Sequence, residues 1–131
     1  MTGYLADTSV FVAAEQRRAL GQPPDGEARI SVATLTELGV GVRMASNAEL
    51  KRLREATLSA ALRFVALPYD ELVAERLAEL LAAARRQQRR AGAMDAIIAA
   101  TALVHGLDIW TQDDDFDTLA ELAPELHVRR G

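Results

Sequence analysis

The stretch Tyr4-Leu5-Ala6-Asp7-Thr8-Ser9-Val10-Phe11-Val12-Ala13 decides the fold. Tyr4 to Ala6 is a short apolar run that stops at three small polar residues, and Thr8 or Ser9 is placed to cap a helix through Val10, Phe11, Val12 and Ala13. The unit is strand, turn, helix. The same alternation continues along the chain. A loop rich in Gly and Pro (Gly21, Pro23, Pro24, Gly26) precedes a predicted strand near Arg29 to Ser31, and Ser31 or Thr34 opens a helix with Leu35, Leu38 and Val42 at helical spacing. Asn47 starts a further helix, Arg63 to Leu67 reads as a strand closed by Pro68, and Asp70 caps the longest helix, whose apolar face is Leu72, Val73, Leu77, Leu80 and Leu81. Gly92 breaks the pattern. Met94 to His105 is apolar on nearly every side, as a helix buried against a sheet requires, and Gly106 ends it. Leu107 to Thr111 is a strand, Gln112 to Phe116 an acidic loop, Leu119 to Leu122 a short helix and Leu126 to Arg129 a last strand. Strands separated by helices predict an α/β fold: βαβ units around a central parallel β-sheet flanked by α-helices on both faces.

Composition narrows the chemistry. The chain has 131 residues, 15 Lys+Arg against 19 Asp+Glu, two His and no Cys. That is the size of one domain, 1–131, able to bury its core without a disulfide or structural metal. Without Cys there is no Cys-ligated zinc, iron–sulfur cluster or thiol nucleophile. No apolar run reaches the roughly 18 residues of a membrane span, and MTGYLADTSV lacks a basic then apolar leader, so a soluble cytoplasmic chain is expected.

The carboxylates carry the functional signal. Asp7 lies just past the first strand, Asp95 in the first turn of the helix after Gly92, and Asp113 and Asp115 just past the strand that ends at Thr111. In an open parallel sheet these positions share the carboxyl edge, where ligand crevices form, and Glu37 from the helix after the second strand leans over the same edge. Five crowded carboxylates raise one another's pKa, and an oxygen-seeking divalent cation relieves the repulsion. With no His or Cys in the set, Mg²⁺ or Mn²⁺ is favoured over Zn²⁺. The chemistry suggested is phosphodiester hydrolysis by metal-activated water. Taken singly, Asp7 and Asp95 also fit helix caps, Asp113-Asp114-Asp115 a solvated turn and Glu37 a solvated helix face; only their joint placement points to a site.

The segments around these acids, Tyr4 to Ser9, Thr34-Leu35-Thr36-Glu37-Leu38 with Gly41-Val42, Asp95 to Ala102 and Thr111 to Phe116, resemble in type and order the PIN domains of VapC toxins. The resemblance implies an endoribonuclease, the toxin of a VapBC toxin–antitoxin module, that cleaves single-stranded RNA with Mg²⁺ or Mn²⁺. It makes Asp7, Glu37, Asp95 and Asp113 the catalytic and metal-binding carboxylates. Asp115 becomes an accessory acid, and Thr8 and Ser9 hydroxyls that hold a carboxylate or water. It also implies a VapB-type antitoxin and a homodimer, assembling into a heterotetramer or larger with it. Met94 and Trp110 depart from the family pattern without removing a ligand. A housekeeping PIN nuclease and a catalytically silent PIN module remain alternatives. An aspartate-based phosphohydrolase is disfavoured, because Ser9 stands where a second Asp belongs and the single lysine, Lys51, is remote.

Outside the acids, Arg85, Arg86, Arg89 and Arg90, helped by Arg17 and Arg18, are candidates to track RNA phosphates, against the reading of Arg85 to Arg90 as a solvated helix end. Trp110 and Phe116 are candidates to stack on a base, with the core as the competing place. Val40, Leu50 and Leu53 are candidates for a groove that receives an antitoxin's apolar residues.

Overall fold

The computed structural model describes residues 3–131; Met1 and Thr2, with which the expected domain begins, lie outside the described residues. The chain runs β1 (Gly3–Ala6), α1 (Thr8–Glu15), β2 (Glu27–Ser31), α2 (Val32–Arg43), α3 (Ala48–Ala61), β3 (Val65–Leu67), α4 (Glu71–Arg86), α5 (Ala93–His105), β4 (Asp108–Thr111), α6 (Asp117–Leu122) and β5 (Val128–Arg130). All neighbouring strands pair in parallel, in the order β3-β2-β1-β4-β5. The α/β expectation of a parallel sheet with helices on both faces is met. The order reverses at β1, so the chain winds outward on one side through β2 and β3 and on the other through β4 and β5. The crevice of such a sheet opens above β1 and β4.

Alternation along the strands builds two cores. Leu5 and Ile109 point to one face, where they meet Val73, Leu77 and Leu80 of α4, Ile98 of α5, Phe116 and Leu119. Their strand neighbours Ala6 and Trp110 point to the other, against Val10 and Phe11 of α1, Leu38 of α2 and Ala61 of α3. Ile98 and Phe116 are fully buried; each such side chain contributes roughly 1.5–3 kcal/mol relative to exposure. Trp110 is 8% exposed and stacks edge-on against Tyr4 at 5.8 Å between ring centroids. Both aromatics that were candidates for stacking on a base are therefore core residues.

Helix starts follow the side-chain chemistry closely. Ser31, Asn47 and Asp70 accept hydrogen bonds from Ala33 N, Leu50 N and Val73 N, at 3.0, 2.8 and 3.0 Å. The first helix differs from expectation: Asp7, not Thr8 or Ser9, occupies its N-cap position, and no side chain caps it. Three strands are shifted because a helix-terminal or reverse turn claims their first residues. Arg63 N and Phe64 N bond back to Ala60 O and Ala61 O, Leu107 N to Ala102 O, and Leu126 N to Ala123 O. β3, β4 and β5 thus start at Val65, Asp108 and Val128.

Candidate active site

Strand register brings the first two components together. Ala6 pairs with Trp110, so the next residues, Asp7 and Thr111, emerge side by side at the carboxyl edge, and Asp7 N donates to Trp110 O at 3.0 Å. Asp7 is 3% exposed and Thr111 fully buried. The Asp7 carboxylate accepts no backbone N–H of α1 and is gripped by hydroxyls from both sides: Ser9 Oγ of α1 donates to Oδ1 at 2.6 Å and Thr111 Oγ1 at the end of β4 to Oδ2 at 3.0 Å. Ser9 Oγ in turn accepts from Gln112 N at 2.8 Å, which ties α1 to the loop after β4. In that loop Asp113 Oδ1 accepts from Asp115 N at 3.2 Å, a side-chain turn that holds both acids at the edge.

The second wall comes from α2 and α5. Thr8 Oγ1 donates to Glu37 Oε1 at 2.6 Å and lies 3.1 Å from the fully buried Thr34 Oγ1. Thr8 has a single hydroxyl proton, so Glu37 and Thr34 are alternative acceptors for it. Thr34 and Glu37 stand three residues apart, on one face of α2. Gly92 precedes α5 and leaves Asp95 free in the first turn. The result is a cleft of about 250 Å³ lined by Asp7, Thr8, Ser9, Val12, Arg18, Glu37, Asp95, Asp113 and Asp115. A larger groove of about 600 Å³ between α4 and α6 contains acids too, but its Glu79 and Glu125 are paired with Arg76.

Electrostatics follow from this placement. Burial pushes the Asp7 carboxyl up from 3.8 to about 7; the hydroxyls of Ser9 and Thr111 oppose the rise, and the charges of Asp113 and Asp95 add to it. Asp95 rises to about 6 through burial and repulsion by Asp115, Glu37 and Asp113. Asp115 is raised as well, by desolvation, then by Asp113 and Asp114. Raised carboxyl pKa values with no ion-pair partner among the described residues make this cleft the candidate functional site.

The family model of the PIN domain matches residues 4–122. The chain belongs to the PIN domain family. It is 41% identical to ribonuclease VapC4 of Mycobacterium tuberculosis over 122 residues, 90% of this chain and 92% of that protein. It is 40% identical to ribonuclease VapC5 of the same organism over 115 residues, 86% and 84% of the two chains. Among solved structures it resembles that of VapBC-5, a toxin–antitoxin system of M. tuberculosis, with a TM-score of 0.85 and 33% identity over 100% of both chains.

In this PIN domain all of Asp7, Glu37, Asp95, Asp113, Asp115, Thr8 and Ser9 line one cleft, as the sequence predicts. They do not close into a compact cage: among the described residues no three His, Cys, Asp or Glu side chains are close enough to hold one ion by themselves. The donor set is nonetheless all oxygen. It fits a hard cation that retains several waters and takes only one or two carboxylates directly, the habit of Mg²⁺. Arg85, Arg86, Arg89 and Arg90 lie outside the residues that line the cleft. Arg89 is engaged elsewhere, donating to Glu121 Oε2 at 2.8 Å and Thr118 Oγ1 at 3.0 Å. Two further residues hold the site, Thr111 and Thr34, which the sequence marks only as a strand end and a possible helix opener. Thr111 bonds to Asp7 across 104 residues of chain, a juxtaposition that only strand pairing creates. For Thr34, the spacing of three from Glu37 was a signal already present.

Proposed function

We propose that this chain is the RNA-cleaving toxin of a VapBC-type pair, an endoribonuclease that hydrolyses RNA phosphodiester bonds with Mg²⁺ or Mn²⁺. The observation that carries the reading is the cleft at the β1/β4 crevice, where Asp7 is held by two hydroxyls and faced by Glu37, Asp95, Asp113 and Asp115. Similarity to VapC ribonucleases supports it. Asp7, Asp95, Asp113 and Glu37 would hold the ion, directly or through water. When bound, the ion supplies Lewis acidity that lowers the pKa of water and screens phosphate charge. The chain's own part is orientation. Ser9 and Thr111 fix both oxygens of Asp7, Thr8 fixes Glu37, and Asp115 N holds the Asp113 carboxylate, so these three are oriented before substrate arrives.

The same proposal includes a partner. The exposed side chains of Val40 and Leu53, 54% and 47% accessible, together with Leu50, offer apolar contacts to an antitoxin segment. An Arg or Lys from that segment would find unpaired carboxylates in the cleft. A homodimer carrying two antitoxins is the assembly proposed.

Incubation of the purified chain with a panel of structured RNAs in Mg²⁺, Mn²⁺ or chelator, followed by mapping of the ends, tests the chemistry. The expected result is ion-dependent cuts that leave 5′-phosphate and 3′-hydroxyl ends. Full cleavage in chelator, or 2′,3′-cyclic phosphate products, would overturn it. Co-expression with the adjacent small open reading frame should give a complex of higher mass that no longer cuts; a monomer that binds nothing and leaves growth unaffected would point to a housekeeping nuclease.

A further inference from the structure

We propose that Arg18 contacts the substrate in this PIN domain, its guanidinium receiving the non-bridging oxygens of a phosphate of the RNA strand at the mouth of the acidic cleft. The inference rests on the ribonuclease reading and adds to it the residue that makes a cleft lined with carboxylates approachable by a polyanion.

The backbone explains how Arg18 reaches the site. At the end of α1, Arg17 N bonds to Ala14 O and Arg18 N to Ala13 O, at 3.1 and 2.9 Å, and Arg17 takes a left-handed φ of 56°. This is the reverse turn that normally uses glycine and folds the following side chain back over the last turns of its helix. Here that side chain is Arg18, and it lines the cleft together with Val12, Ser9 and Thr8 of the same helix. A non-glycine residue in that conformation costs about 1 kcal/mol.

α4 ends in the same turn. Gln88 has φ 54°, with Gln88 N bonded to Arg85 O and Arg89 N to Ala84 O. The arginine delivered there, Arg89, closes on Glu121 and Thr118 of the α6 region. Arg29, Arg76, Arg129 and Arg130 are likewise paired with carboxylates. Arg18 lines a cleft with five carboxylates, yet among the described residues it forms no ion pair with any of them. Nor is it a cause of the shifts of Asp7 and Asp95, which come from burial, hydroxyl donors and other carboxylates. Its charge is therefore placed at the site without being spent on the acids. A planar fork of donors in that position matches phosphate oxygens.

The test compares wild type, Arg18→Gln, Arg18→Lys and, as a charge-matched control away from the cleft, Arg63→Gln. A labelled single-stranded RNA is used in Mn²⁺ across roughly 50 to 200 mM salt, reading kcat, KM and Tm, with fluorescence anisotropy of the same RNA for binding without cleavage. Arg18→Gln should lower kcat/KM about 10- to 100-fold and make the log–log salt dependence of binding shallower by about 0.7, with Tm unchanged. Arg18→Lys should restore the salt dependence and part of the rate, and Arg63→Gln should behave as wild type. Wild-type kcat/KM and salt dependence in Arg18→Gln would overturn the proposal, including the case in which that variant loses only antitoxin affinity. Binding that depends on Arg18 without cleavage in any metal would uphold the contact and fail the ribonuclease reading alone.

Discussion

Burial in the metal-free fold favours the protonated form of Asp7 over a wider pH range than an exposed carboxyl would show, and this sets how the residue behaves. Its carboxyl is moved from 3.8 to about 7 by burial, and Asp95 to about 6. Between about pH 4 and pH 7 the folded chain then holds protons that the unfolded chain has released, so stability falls as pH rises through that window. In chelator the wild-type Tm should be lower at about pH 8 than at about pH 5. Asp7→Asn should reduce the difference, leaving the part that belongs to Asp95, and raise the unfolding free energy at the higher pH by on the order of a few kcal/mol, seen as a higher Tm there, while abolishing cleavage. A wild-type Tm that climbs between the two pH values would show that Asp7 ionises as an ordinary carboxylate. Thr111 is the second residue to test. Thr111→Val keeps the shape but removes a donor that lowers the Asp7 pKa, so the acidic limb of the pH–rate profile should move to higher pH; an unmoved limb would mean that Ser9 alone holds Asp7. The place of Asp7 at the sheet edge is legible in the sequence because the strand–turn–helix unit is local. That of Thr111 is not, because the residue that needs it is on another strand.

At the scale of elements, the ends of helices do the positioning. α2 begins without a loop because Ser31 is both the last residue of β2 and a cap, and this fixes Glu37 little more than one turn above the sheet edge. α5 is flanked by Gly92 at its N-cap and Gly106 at its C-cap, whose φ of 64° lets Leu107 turn straight toward β4. A Cβ at Gly106 would meet nothing within 4 Å, so Gly106→Ala should cost only the left-handed backbone strain, about 1 kcal/mol, read as a Tm lower by a few degrees with cleavage intact. A much larger loss would mean that β4 itself had been displaced. The glycines, caps and apolar periodicities that bound these helices are readable directly. The starts of β3, β4 and β5 are not, because residues 63–64, 107 and 126 are claimed by turns whose backbone bonds form only in the folded arrangement.

For the whole molecule, the parallel sheet collects acids from β1, α2, α5 and the loop after β4 at one edge, and the repulsion there is a store that a cation can release. Mn²⁺ at about a hundred times its Kd should stabilise the wild type by about 2.7 kcal/mol, and Asp95→Asn should lose most of that gain. An equal Tm rise in both proteins would remove Asp95 from the ligand set.

The α/β class, the order of elements, the apolar burial of α5 and which acids meet in one cleft were readable in the sequence, since each rests on local periodicity, caps or the rule that strand ends share an edge. Only tertiary structure decided that Trp110 and Phe116 fill the two cores, that Arg89 docks against α6 while Arg18 lines the cleft, and that Thr111 holds Asp7. Those outcomes depend on strand register and on which face of the sheet a side chain meets, and both are set by contacts between residues distant in the chain.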